Sequence, residues 1–464
     1  MLKLLLVSLF SIFAFANGGG EHTAAHSLSP DLTMTWVGVL SLIIFVVAYY
    51  FVATEEQYEI DKAKPALLAG TFLFFIIGIY YAINDMNMDL LHNEVKHLIL
   101  EIAEIFFFLF VAMTYIESMI HMGVFDRLKF NLVSKGYTYK KLYWLTGLLA
   151  FFISPVADNL TTALILSTVL ITIEKEKKEF LVPGAINIVV AANAGGAWSP
   201  FGDITTLMSW TANKGTFTDF LFLFPASFLG YFTTAYLLSL TVPNTQPHFD
   251  AATEKKPEMS KGAEVVTILG AVTIIVAVLG HQFLHLPAMW GMMFGLALLK
   301  MYAYRLKRVH KTQFDVFGAM AKVENNTLMF FFGILSAVGA LHFLGWLGLA
   351  AHVYSPDVLG PTASNIGVGF LSAIVDNVPV MSAILKASPT MEHAQWMLVT
   401  MTAGIGGSLI SFGSAAGVGV MGKLKGIYTF NSHMKFAWTI LVGYFVSIAI
   451  WYLQFEMLGI GAQY

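Results

Sequence analysis

Ten stretches of this chain are apolar over lengths that match a bilayer: residues 34–53, 66–83, 98–118, 183–213, 217–241, 263–280, 287–303, 326–344, 396–421 and 434–456. A helix needs about 20 such residues to cross about 30 Å of hydrocarbon. Lipid offers no partner for a backbone N–H or C=O, so segments of this length cross as helices. The expected fold class is an all-α polytopic membrane protein with about 10 full spans. Composition agrees. Only 12% of the 464 residues are charged and 57% are hydrophobic, whereas a soluble domain carries roughly 25% charge. These figures exclude disordered, collagenous and nucleic-acid-binding classes and argue against a soluble enzyme. The absence of Cys excludes disulfides, thiolate metal sites and a Cys nucleophile. Phe-rich stretches (39 Phe) read as lipid-facing surface.

The N-terminus reads as a secretory signal over residues 1–16. Lys3 precedes an apolar run from Leu4 to Phe13, then Ala14-Phe15-Ala16, a small-x-small cleavage site. Cleavage would leave the mature N-terminus outside, in the periplasm. Alternating the spans from there places 22 of the 26 Lys and Arg on the cytoplasmic side and three (Lys96, Lys214, Lys386) outside. That split follows the positive-inside rule.

The alternation requires two segments that enter and return on one side. Residues 138–173 are broken at Ser154-Pro155-Val156-Ala157-Asp158-Asn159 and flanked by Lys140-Lys141 and Lys175-Glu176-Lys177-Lys178. Residues 361–386 are broken at Asp376-Asn377-Val378-Pro379. Both read as re-entrant helical hairpins, tolerated at depth when protein or water surrounds the tip. The two segments share Ser-x-x-x-Asp-Asn, from Ser154 and from Ser372. Downstream, Gly195-Gly196 and Gly406-Gly407 each precede Phe-Gly by four residues, within broken helices over 183–213 and 396–421. Two matches in the same order indicate duplication. The expected organisation is a first half over 17–242, a cytoplasmic linker over 243–262 and an inverted second half over 263–464. Inverted repeats with paired interrupted helices describe a secondary transporter with its site near the midplane.

Ionisable residues inside a membrane are costly and mark function. The candidates are Asp158, Asp203 and Asp376 at the breaks, with Glu101, Glu104 and Glu117 on the third span. No Lys or Arg lies near a break in sequence, so the expected cargo is a cation. A carboxylate in a low dielectric holds a proton nearer neutral pH, and the same oxygens suit a small hard cation. Na⁺ and H⁺ can then compete for one site. Ser154, Asn159, Asn193, Thr205, Thr206, Asn377, Ser411 and Ser414 offer neutral oxygens. Plainer roles stand beside these. Asp158, Asp203 and Asp376 can serve as helix N-caps. Glu101 and Glu104 share a helix face and are equally suited to a proton path or to a solvated interface. Glu117 reads as a boundary residue and Asn193-Ala194-Gly195-Gly196 as small-residue packing. The 13 His can sense pH, with His342 a packing residue.

These motifs resemble the ion transporter superfamily. Within it, Ser154-Pro155-Val156-Ala157-Asp158-Asn159-Leu160-Thr161-Thr162-Ala163 and Trp198-Ser199-Pro200-Phe201-Gly202-Asp203-Ile204-Thr205-Thr206 are similar to the NhaD-type bacterial Na⁺/H⁺ antiporters. The resemblance covers nearly the whole mature chain. It implies a homodimer in the bacterial inner membrane, with a scaffold part and a transport part that moves as an elevator. It implies an ion site on Ser154, Asp158, Asn159, Asn193, Asp203, Thr205 and Thr206. In the second half it points to Asp376, Asn377, Ser411 and Ser414, where Pro379 replaces Thr161 and Ser414 replaces Asp203. No cofactor and no enzymatic activity are implied. The competing readings are a Na⁺-coupled dicarboxylate symporter or an arsenite efflux permease of the same superfamily. More remote is an intramembrane aspartyl protease, which two membrane aspartates would suit. The Asp at both tips argues against an anion cargo.

Overall fold

A computed structural model describes residues 31–58, 60–246, 257–311 and 314–461. The signal over 1–16, the mature N-terminus and Lys255-Lys256 of the linker lie outside the described residues. All regular structure in the described residues is helical. We label sixteen helices: α1 Trp36–Ala53, α2 Ala63–Ile83, α3 Met88–His121, α4 Tyr139–Ala157, α5 Asn159–Ile173, α6 Lys178–Gly196, α7 Ile204–Thr211, α8 Phe224–Ser239, α9 Ala263–Leu284, α10 Ala288–His310, α11 Asn325–Phe343, α12 Gly360–Val375, α13 Asn377–Ala387, α14 His393–Gly406, α15 Ala415–Lys423 and α16 Ala437–Trp451.

Seven helical segments among the described residues are long and apolar enough to span: 63–83, 88–121, 178–196, 217–239, 263–284, 325–343 and 437–457. The sequence suggested about ten, and the difference has physical reasons. Helix α1 is apolar but sits at the lower limit of length. The second half of α10 is basic, with Lys300, Arg305, Lys307 and Arg308. Residues 393–423, expected as a broken helix over 396–421, form two helices of 14 and 9 residues, each too short to count as a span. Helix α3 goes the other way. It runs 34 residues where an apolar span was expected over 98–118, about 51 Å at 1.5 Å per residue.

The outward surface is apolar. Leu68 and Phe75 are 71% exposed and Phe283 72%, which water would penalise and lipid does not. Not every Phe faces out: Phe151 is fully buried, stacked on Tyr231 with Phe228 and Trp198 close by.

The chain forms two compact units, and they cut across the sequence halves. One comprises residues up to 106, 324–367 and 378–392; the other comprises 107–323, 368–377 and 393–464. In the first unit α2 packs on α11 through small residues. A Cβ on Gly70 would overlap the Gly333 carbonyl, and one on Gly333 the backbone of Ala66. This closeness lets backbones gain dispersion contact where lipid supplies no hydrophobic drive. Leu73, Ile77, Tyr81 and Phe343 fill the core beside it. In the second unit α8 and α16 approach in the same way at Gly230 and Gly443. Helices α9 and α10 are tied to α3 by Tyr115, whose hydroxyl donates to the Gly295 carbonyl at 2.7 Å and accepts from Thr273 Oγ1 at 2.9 Å.

Candidate ion site

The helix breaks of the second unit converge. Helix α4 ends and α5 begins at Asp158, whose φ is +57° and ψ 161°. Only glycine enters that region without strain, and other residues there cost about 1–3 kcal/mol. Asp376, between α12 and α13, repeats the feature with φ +75°. Asp158 caps α5: Oδ1 accepts from the Thr161 N–H at 2.8 Å and Oδ2 from the Thr161 hydroxyl at 2.7 Å. Pro379 occupies the equivalent position after Asp376. It has no N–H, so that cap cannot be repeated.

Asp203 lies at the centre. It caps α7, accepting from the Thr205 N–H at 3.1 Å. Its Oδ2 also accepts from Asn159 Nδ2 at 2.9 Å. Asn377 Nδ2 donates to Oδ1 at 3.1 Å and to Oδ2 at 2.9 Å. The carboxylate therefore receives amides from both Asp-Asn segments. Capping and participation in the cluster are compatible, since a carboxylate has about four acceptor positions. Asp376 and Asp158 lie within Coulombic reach of Asp203. Asp203 and Asp376 are buried, Asp158 partly so.

Asn193, fully buried on α6, joins this cluster to the second break. Its Oδ1 accepts from Asn159 at 3.1 Å, and its Nδ2 donates to Ser408 Oγ at 2.8 Å and Ser414 Oγ at 2.9 Å. Ser414 caps α15 through the Gly417 N–H. The hydroxyl of Ser411 is buried with no hydrogen-bond partner among the described residues, an oxygen at hand for a ligand.

Two candidates serve as fasteners. Ser154 Oγ donates to the Ala192 carbonyl at 2.6 Å, tying α4 to α6. Ser372, its counterpart in sequence, donates to the Ala403 carbonyl at 2.6 Å, tying α12 to α14. Thr206 Oγ1 donates to the Asp203 main-chain carbonyl at 2.7 Å. The glycine pairs also correspond. Gly195 lies against the Phe151 backbone and Gly406 against that of Gly369, each three residues before the fastening serine. Gly196 lies on Gly202, and a Cβ on Gly407 would come 2.7 Å from the Gly413 carbonyl. Only glycine permits these contacts.

The glutamates of α3 are divided between the two units. In the first unit, Glu101 is 60% exposed and pairs with Lys386 at 2.7 Å. Glu104 lies one turn on, partly buried, and Glu117 is partly buried in the second unit. None shares a hydrogen bond with Asp203, whose donors are Asn159, Asn377 and Thr205. Ser408 and, behind it, His433 are the residues that sequence reasoning missed. The signal for Ser408 was slight: a hydroxyl directly after Gly406-Gly407, where the first half has Ala197.

Broken helices around a buried carboxylate and amide cluster, in a chain with several spanning helices, define a polytopic membrane protein of the transporter class. The pattern of the citrate transporter family matches residues 22–404. The Na⁺/H⁺ antiporter NhaD of Alkalimonas amylolytica is 42% identical, the match covering 96% of this chain and 95% of that protein. The Na⁺/H⁺ antiporter NhaD of Vibrio cholerae is 40% identical over 97% of both chains. Sodium/proton antiporter 1 of Arabidopsis thaliana is 28% identical, over 94% of this chain and 77% of that one. The chain belongs to the citrate transporter family and, within it, to the group of the NhaD Na⁺/H⁺ antiporters.

Proposed function

We propose that the protein is a secondary active antiporter, not an enzyme, that exchanges cytoplasmic Na⁺ or Li⁺ for external H⁺. One observation carries the reading: Asp203 is a buried carboxylate whose side-chain partners are neutral amides, Asn159 and Asn377, with two further acids nearby. Amides orient a carboxylate without neutralising it. Its charge is left for a cation or a proton, and the two compete. Amide and hydroxyl oxygens suit the rest of a hard cation's shell. The relatives named Na⁺/H⁺ antiporter support the same cargo.

The family's description as citrate transporters favours a second reading, a carboxylate symporter. The site weighs against it. Binding citrate beside Asp203 would bring like charges together in a low dielectric, where repulsion is severe. In this proposal 138–173 and 361–386 are re-entrant hairpins of an inverted repeat, and the transport part moves as an elevator within an inner-membrane homodimer. The mature N-terminus is periplasmic and no cofactor takes part.

Inverted vesicles with an imposed pH gradient test the proposal. Adding Na⁺ or Li⁺ collapses the gradient, while K⁺ and citrate leave it standing. Rising Na⁺ moves the apparent pKa of activity down, because ion and proton share carboxylates. Silence toward Na⁺ and Li⁺ between about pH 6 and pH 9 would sink the reading.

A further inference from the structure

His433 sits on the short helix Phe430–Met434, ahead of α16, and its side chain is fully buried. Its Nε2 lies 3.1 Å from the Ser408 carbonyl and 3.3 Å from the Leu409 carbonyl. Its Nδ1 lies 2.7 Å from the Tyr428 hydroxyl. A carbonyl only accepts, so Nε2 carries a proton. In the neutral ring Nδ1 then accepts from the tyrosine. Burial pushes the imidazole down to about 4, against the pull of the two carbonyls.

The position gives this ring its interest. Residues 407–409 are the 3₁₀ turn that follows α14, where carbonyls lose their helical partners. Free carbonyls at such a break are ready cation ligands. His433 engages two of them. The same Ser408 offers its hydroxyl to Asn193, which is bonded to Asn159, which is bonded to Asp203. The first break has Ala197 where the second has Ser408, so it has no hydroxyl to hold in place.

We propose that His433 is a positioning residue. It holds two carbonyls of the second break away from the cargo and fixes the Ser408 hydroxyl on the Asn193–Asn159–Asp203 chain. The break is thereby set as a donor of hydroxyls rather than of main-chain oxygens, and the ion's charge falls to the carboxylates. The kinetic part rests on the exchange reading. The state of the ring does not.

Two measurements test it. In proteoliposomes, His433→Leu raises the apparent KM for Na⁺ about tenfold with turnover within about twofold, because buried acceptors lose their donor. His433→Gln, whose amide N–H can replace that of Nε2, restores most of the loss. A Leu variant with wild-type KM, or a Gln variant no better than Leu, overturns the proposal. Nitrogen-15 spectra of wild-type protein, with His433 assigned by its loss in the Gln variant, read the state of the wild-type ring itself. At about pH 5.5 an unperturbed imidazole is mostly charged. Here the ring is neutral with the proton on Nε2, and a charged or Nδ1-protonated ring overturns the proposal. Wild-type protein with this ring state and no Na⁺ response would fail the exchange reading and leave the ring assignment standing.

Discussion

The side-chain amide of Asn377 donates to both oxygens of the Asp203 carboxylate, at 3.1 and 2.9 Å, across 174 positions of sequence. An amide that faces two carboxylate oxygens holds the acid's plane fixed. Asp203→Asn removes the charge and puts amide against amide. Exchange in inverted vesicles is then lost, with the protein still in the membrane. Asn377→Leu keeps the charge but frees one side, lowering exchange about tenfold for the loss of hydrogen bonds to a charged group. Residual exchange above about a tenth in the Asp203 variant would remove it from the core of the site.

Asp158 separates two roles that coincide in one residue. Its φ of +57° strains any side chain, and its carboxylate caps α5. Asp158→Gly loses the cap but relieves the backbone; Asp158→Ala loses the cap and keeps the strain. The Gly variant is expected to be more stable than Ala by about 1 kcal/mol, measured by thermal unfolding in detergent. Both lose exchange. Equal melting temperatures would show that the backbone is unstrained there.

Ser414 stands where the first half has Asp203, and it accepts from Asn193 at 2.9 Å. Ser414→Ala leaves that amide with Ser408 alone and removes the α15 cap. A loss of about 1–2 kcal/mol is expected, together with a higher KM for Na⁺. A variant as stable as the wild type would mean that Asn193 has found another acceptor.

A pH-dependent contact joins the start of α4 to the end of α5. The Tyr139 hydroxyl donates to Glu174 Oε2 at 2.5 Å. That bond, helped by the N–H groups of Glu176 and Lys175 and opposed by slight burial, holds the Glu174 carboxyl below the usual range. A lowered folded pKa stabilises above the unfolded value and is lost as pH falls through the folded one. Tyr139→Phe therefore lowers the melting temperature at neutral pH, and the gap narrows below about pH 4. A gap that stays constant would show that the contact acts through packing alone.

Glu101 is mostly exposed in its pair with Lys386, and such pairs contribute about 0–1 kcal/mol. Glu101→Gln is expected to leave both stability and Na⁺ exchange near wild type. A large fall in exchange would return Glu101 to the proton path.

The apolar segments were legible because each must satisfy its own backbone, so length and composition alone reveal them. The special character of Asp158 and Asp376 was legible for a related reason: an acid next to Asn in an apolar run has few structural excuses. The partnership of Asn377 with Asp203 was not, because hydrogen bonds between distant segments leave no local pattern. The bond from Ser154 to the Ala192 carbonyl was not legible either, since a buried hydroxyl can serve the backbone as well as a ligand. His433 was lost among thirteen histidines near loops, since sequence gives a side chain's chemistry and not its depth. The start of α3 at Met88 went unseen because its first turns are polar.

The contacts of Gly195, Gly196, Gly406 and Gly407 bring backbone against backbone with nothing between. Walls assembled this way have no soft padding. A side chain can yield to a larger guest by changing rotamer, but touching main chains cannot. An added methyl at any of these four positions would lie 2.3 to 2.7 Å from a facing main-chain atom, so the walls would have to part. Under the exchange reading, the spacing around Asp203 is thus fixed in part by residues that have no side chain.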